Sequence, residues 1–184
     1  TFNASLNRGA AGQLVADLSN PSADTVGVRQ AKNVAEVIQR AAPDVLLINE
    51  FDFVAGGTAA RLFRDNFLAV PQNGAPAAHY PYFYVAPVNT GVPSGFDLDN
   101  SGDTEPGDAG NDAWGFGNFP GQFGMVVYSK YPIDTDAVRT FQTFRWADMP
   151  DAMLPDDPVA LTQGFELVAE LRPRAEHVQP GAEP

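Results

Sequence analysis

A carboxylate stands at the end of an apolar, strand-like run, Pro43-Asp44-Val45-Leu46-Leu47-Ile48-Asn49-Glu50. Ligand sites in α/β sheets open beyond the carboxyl ends of strands, so Glu50 is placed where chemistry is done. A second run, Thr1-Phe2-Asn3-Ala4-Ser5-Leu6, ends a strand and carries Asn3 as a polar group on an apolar element. An Asn and a Glu at neighbouring strand ends can share one hard, oxygen-preferring cation such as Mg²⁺. Asn7 and Arg8 follow the first run, and Arg8 reads as a solvated loop arginine within reach of a phosphate.

A third concentration of oxygen ligands lies in Asp97-Leu98-Asp99-Asn100-Ser101-Gly102-Asp103-Thr104-Glu105-Pro106-Gly107-Asp108. Asp97, Asp99 and Ser101 match the first, third and fifth positions of a calcium loop, Gly102 matches the sixth, and Asp108 closes it. The closing residue is Asp where the template has the longer Glu, and no amphipathic helices flank the loop. A helix-pair calcium sensor is thereby excluded. An isolated calcium loop using Asp97, Asp99, Ser101, Asp103 and Asp108 remains, beside the plainer reading of a solvated acidic loop.

These residues need elements to hold them. Residues 1 to 8 read as a strand and 9 to 22 as a loop. Residues 25 to 42 carry Val26, Val34, Val37, Ile38 and Ala41 at helical spacing and stop at Pro43. Val45 to Asn49 is continuously apolar, as a central strand is. A second helix is predicted over 59 to 67. Tyr80 to Val88 is aromatic but contains Pro81 and Pro87, which fits a short or edge strand. Residues 91 to 121 form a long Gly/Asp/Pro-rich loop, of the kind that is functional or disordered. Phe123 to Ser129 is predicted to be a strand, and 136 to 144 another, with Val138, Thr140, Gln142 and Phe144 alternating. Phe165 to Leu171 reads as a last strand and 172 to 184 as a frayed tail.

In order, Thr1-Phe2-Asn3, then Pro43 through Glu50 with Asn49 before the Glu, then Gly124 through Ile133, resemble the endonuclease/exonuclease/phosphatase family of deoxyribonuclease-type enzymes. The resemblance covers roughly residues 1 to 145. It implies an α/β fold, the four-layer α/β/β/α sandwich, with residues 1 to 171 as one partial domain. It implies a divalent-metal-dependent phosphoesterase, acting on a phosphodiester or phosphomonoester, with Glu50 and Asn3 as catalytic metal ligands for Mg²⁺ or Mn²⁺. The family's later Asp-x-Asn and Ser-Asp-His motifs do not follow Ile133, and the two histidines, His79 and His177, stand outside them. The expectation is therefore the N-terminal half of such a domain, completed by a missing C-terminal half or by a second copy. A non-catalytic, calcium-stabilised binding module on the same scaffold is the alternative.

Composition narrows the partners. The 184 residues carry a formal net charge of −12, and 44% are apolar, which suits a globular domain with a sizeable core. An acidic body repels long nucleic acid and favours cations and small or lipid-linked phosphate esters. With no cysteine, disulfides and thiolate metal sites are excluded. No apolar stretch is long enough to span a bilayer. A start at Thr1 suits a removed leader, and the calcium loop favours a secreted or extracytoplasmic location. Gly9-Ala10-Ala11-Gly12 lacks the Gly-Lys-Ser/Thr ending of a phosphate loop. His79 reads as a rim or structural residue before an edge strand. Trp114, Phe116, Phe119 and Phe123 fit either a ligand wall or loop anchoring.

Overall fold

The computed structural model describes residues 1–99, 101–104 and 110–153. Asp108, the strand expected at Phe165 to Leu171 and the tail over 172–184 lie outside the described residues. Four strands form one mixed sheet: β1 (Phe2–Leu6), β2 (Val45–Phe51), β3 (Tyr82–Tyr84) and β4 (Met125–Ser129), in the order β1-β2-β4-β3. β1 and β2 are parallel, while β4 runs antiparallel to both β2 and β3. Three α-helices accompany them: α1 (Gln13–Ser19), α2 (Val26–Ala41) and α3 (Thr58–Phe63), the last continuing into a π turn at Arg64–Leu68.

The parallel β1–β2 pair requires a crossover, which α1 and α2 supply. In α2, Val28, Ala31, Val34, Ala35 and Ile38 repeat at three and four residues, giving one apolar face that is buried on the core. Thr25 caps its start by accepting the Val28 N–H at 3.2 Å, and Ala42 ends it in a left-handed turn before Pro43.

Strand periodicity splits the sheet into unlike faces. Ala4, Leu6, Leu46, Ile48, Val126 and Tyr128 point to the helices and are buried. Phe51, Phe63 and Tyr128 continue that core, with ring centroids 5.9 Å apart for Phe51–Phe63 and 6.3 Å for Phe63–Tyr128. The Tyr128 hydroxyl donates to Ala60 O at 2.7 Å, and burial pushes its pKa well above the ordinary value, so it remains a donor. On the other face Val45 is 59% and Met125 46% exposed, with Leu47 and Val127 half-buried. That face borders a groove of about 390 Å³, lined among others by Leu47, Tyr84, Met125, Val127, Val138 and Phe141.

Three expectations are corrected. The segment 9–22 is not all loop: Leu14 and Leu18, one helical turn apart, are buried in α1. The alternating run 136–144 forms no strand; a 3₁₀ turn at Thr135–Ala137 begins it, and Phe141 and Phe144 meet edge-on in a turn instead. Arg8 is not solvated. It is 7% exposed, with Nε 2.6 Å from Asp17 Oδ2 and its other nitrogens bonded to Asn7 O, Gln30 Oε1 and Gly27 O. A guanidinium so fully engaged is structural and is not available to a phosphate.

Candidate functional site

The parallel register sets Asn3 opposite Asn49, one residue before Glu50. Both strands then depart from regular extension. Ser5 has φ 48° and Glu50 φ 57°, left-handed values that are uncommon for residues with a Cβ. The register slips between Asn3 and Leu6, so β1 spends three steps where β2 spends two. In β2 the buried positions run Leu46, Ile48, then Phe51, three residues on. The kink at Glu50 thus resets the alternation, sending Phe51 into the core and leaving Glu50 half-buried at the strand tip.

There Asn3 Nδ2 donates to Glu50 Oε1 at 2.7 Å, and Asn3 Oδ1 accepts the Ser5 N–H at 3.1 Å. The amide is therefore oriented by the β1 kink and in turn orients the carboxylate. Two side chains 47 positions apart in sequence share one edge, and both carry the oxygen chemistry that hard cations select. The Glu50 carboxylate, held by a neutral amide and bonded to no cationic side chain among the described residues, is an oxygen donor of the kind a hard divalent cation takes.

Just past the strand ends lies a set of polar groups that sequence reasoning did not single out. Asp52, 4% exposed, accepts the Arg8 N–H at 2.8 Å and the Phe123 N–H at 3.2 Å. Burial raises its pKa from 3.8 to about 6, against the lowering effect of those two N–H donors and of the Arg8 charge. Gln122, also buried, donates to Arg8 O at 2.7 Å and accepts the Asn118 N–H at 2.7 Å. Gln30 of α2 reaches Ser5 O at 2.6 Å. Isolated polar residues in connecting segments leave no periodic trace, and only the two acidic residues so close together, Glu50 and Asp52, hinted at this layer.

The acidic loop makes a second cluster. Carboxylate oxygens of Asp97, Asp99 and Asp112 lie within 4.8 Å of one another. Asp112 is buried and joins from beyond the span read as a calcium loop; Asp103 stands outside this group, and Ser101 contributes its backbone N–H to Asp97 and Asp99, both at 3.0 Å. Gly102 N–H donates to Asp97 at 2.9 Å, Leu98 N–H to Asp112 at 2.6 Å, and the Asn111 amide to Asp99 at 2.7 Å. The Asn111 and Ser101 hydrogen bonds hold the Asp99 carboxyl below its ordinary pKa.

His79 is exposed before the buried Tyr80, whose hydroxyl donates to Pro43 O at 2.8 Å. Phe116 is exposed and packs on Phe123 with centroids 5.8 Å apart. Asp44 pairs with Lys130 at 2.8 Å, tying the start of β2 to the end of β4.

Residues 1–180 match the family model described as the endonuclease/exonuclease/phosphatase family, and the chain belongs to that family. The family implies a deoxyribonuclease-like fold and phosphoester substrates, and the mixed α/β sheet with three helices accords with it. No curated protein and no solved structure matches the chain significantly. Among the described residues, no helix is long and apolar enough to cross a membrane.

Proposed function

We propose that this member of the endonuclease/exonuclease/phosphatase family is a divalent-metal-dependent phosphoesterase whose metal is held at the β1 and β2 tips by Glu50 and Asn3. The observation that carries the reading is the 2.7 Å contact between Asn3 Nδ2 and Glu50 Oε1 at adjoining strand ends. Bound there, Mg²⁺ or Mn²⁺ supplies Lewis-acid polarisation of a phosphoryl oxygen. Glu50 contributes the anionic oxygen that attracts the ion, and Asn3 fixes the rotamer of that carboxylate. The net charge of −12 favours a small or lipid-linked phosphate ester over a long nucleic acid. The open face bearing Val45, Leu47, Met125 and Val127 is read as the surface on which a second sheet completes a four-layer sandwich.

Calorimetric titration with Mn²⁺ tests the assignment. Glu50→Gln is expected to abolish Mn²⁺ uptake at the strand tips and, with it, Mg²⁺-dependent hydrolysis of bis-p-nitrophenyl phosphate. Unchanged uptake in Glu50→Gln, or no uptake by the unmodified chain, overturns it.

The Asp97, Asp99 and Asp112 cluster favours a second reading, in which Ca²⁺ rigidifies the loop of an exported, non-catalytic binding module. Calcium-raised melting with no phosphoester turnover supports that module over the enzyme.

A further inference from the structure

Both strand tips are held in left-handed backbone conformations, and such strain persists only where the surroundings over-determine it. The surroundings here are specific. Arg8, two residues past β1, donates its N–H to Asp52, and its carbonyl accepts from the Gln122 amide. Asp52, two residues past Glu50, uses its second oxygen for the N–H of Phe123, which itself has φ 56°. Gln122 and Phe123 stand three and two residues before the start of β4. One carboxylate and one amide thus bind together the exits of β1 and β2 and the entry of β4. Gln30 closes the set from α2, joining Ser5 O to the Arg8 guanidinium. All three segments meet just past the ends of the strands that carry the Asn3–Glu50 pair, and the side chains of Asp52 and Gln122 are buried there.

We infer that Asp52 is a positioning residue for the divalent-metal site, holding the Asn3 and Glu50 tips in register through the backbone N–H groups of Arg8 and Phe123. The inference rests on the phosphoesterase reading of Glu50 and Asn3 and deepens it. Groups behind metal ligands commonly set affinity by fixing ligand orientation, with losses on the order of 10–100-fold when removed. Asp52→Asn keeps the shape but turns one acceptor into an NH₂ that faces an N–H donor. Tip geometry then relaxes while the apolar core is untouched.

The test is Mn²⁺ affinity, measured by calorimetry on the full chain in an Asp99→Asn background so that the loop carboxylates do not mask the site. Asp52→Asn is expected to weaken binding about tenfold. Tyr128→Phe, which deletes the buried bond to Ala60 O away from the tips, is the destabilised control: its melting temperature falls and its affinity holds. If Asp52→Asn does not fold, Gln122→Met carries the same test through the bond to Arg8 O. Unchanged affinity in the folded variant, or an equal loss in the Tyr128→Phe control, overturns the inference. Failure of the underlying reading has a different signature, since Glu50→Gln would then bind Mn²⁺ as well as the parent does.

Discussion

Two oxygen-rich sites in this molecule are built in opposite ways. At the ends of β1 and β2, Asn3 and Glu50 stand on strands kinked at Ser5 and Glu50, and a buried polar layer just past the strand ends fixes the backbone. In the loop, Asp97, Asp99 and Asp112 lie on no strand or helix among the described residues, and their carboxylates accept the N–H groups of Ser101, Gly102 and Leu98 and the Asn111 amide. The first arrangement spends only two side chains at the surface and places them to within a hydrogen-bond length. The second spends three carboxylates, whose mutual repulsion a cation would relieve. Precision by scaffold suits orientation of a reacting group; accumulation of charge suits a stabilising ion.

That contrast can be broken most sharply at Glu50. Glu50→Gln is expected to lower Mn²⁺ affinity at the tips by roughly 100-fold or more while leaving the melting temperature nearly unchanged, because the half-buried group packs little core. A large fall in melting temperature would instead make Glu50 a structural residue.

The next effect is on stability. A Cβ at Gly124 would meet Phe51 O at 2.8 Å and Phe53 N at 3.0 Å, both backbone atoms that cannot swing aside. Gly124→Ala should cost about 1–3 kcal/mol in urea unfolding. Its metal affinity should fall too, since the displaced backbone carries Glu50.

Proton linkage separates the sites by sign. In the metal-free protein Asp52 has a folded pKa of about 6, above its ordinary 3.8. Its contribution to stability is therefore full below pH 4 and is lost as pH rises through 6. Asp99, held below its ordinary value, contributes at neutral pH and loses that contribution as the medium is acidified through its folded pKa. The stability gap between the parent and Asp52→Asn should widen in the parent's favour as pH falls from 7 to 4.5. For Asp99→Asn, the gap should narrow only below about pH 4. Urea titrations across that range check both.

The smallest effect is expected from calcium. Millimolar Ca²⁺ should raise the melting temperature of the parent by a few degrees, on the order of 1 kcal/mol by mass action. Asp112→Asn should abolish the rise, as followed by differential scanning fluorimetry.

What was legible in the chain follows the physics of periodic burial. α2 announces itself through helical spacing with Thr25 and Pro43 as punctuation, although of Val26, Val34, Val37, Ile38 and Ala41 only Val34 and Ile38 are buried, beside Val28, Ala31 and Ala35; β2 announces itself through its unbroken apolar run. The pairing of Asn3 with Glu50 was readable because each is a polar residue on an otherwise apolar strand. α1 was not, since seven residues give only one repeat, Leu14 to Leu18, between Gly12 and Asn20. The alternation of Val138, Thr140, Gln142 and Phe144 imitated a strand, yet no partner strand lies beside it among the described residues. Asp112 escaped notice because its neighbours in space, Asp97 and Asp99, lie more than a dozen residues earlier. Asp52 and Gln122 escaped, and Arg8 was read as solvated, because a polar residue that binds backbone leaves no pattern along the chain. Tertiary hydrogen bonding, unlike amphipathicity, has no one-dimensional signature.

Gly121 and Gly124 let the chain pass with backbone against backbone across Phe51 and Phe53, through the Phe51 N–H to Gly124 O bond at 2.9 Å and the Phe53 N–H to Gly121 O bond at 2.8 Å. This clasp works as a mechanical stop. With Phe51 and Phe53 bonded to Gly124 and Gly121, a change of chain length before Gly121 is expected to leave the strand tips in place. The acidic loop is therefore the place where inserted sequence, a label or a grafted recognition segment can be carried with least disturbance to Glu50.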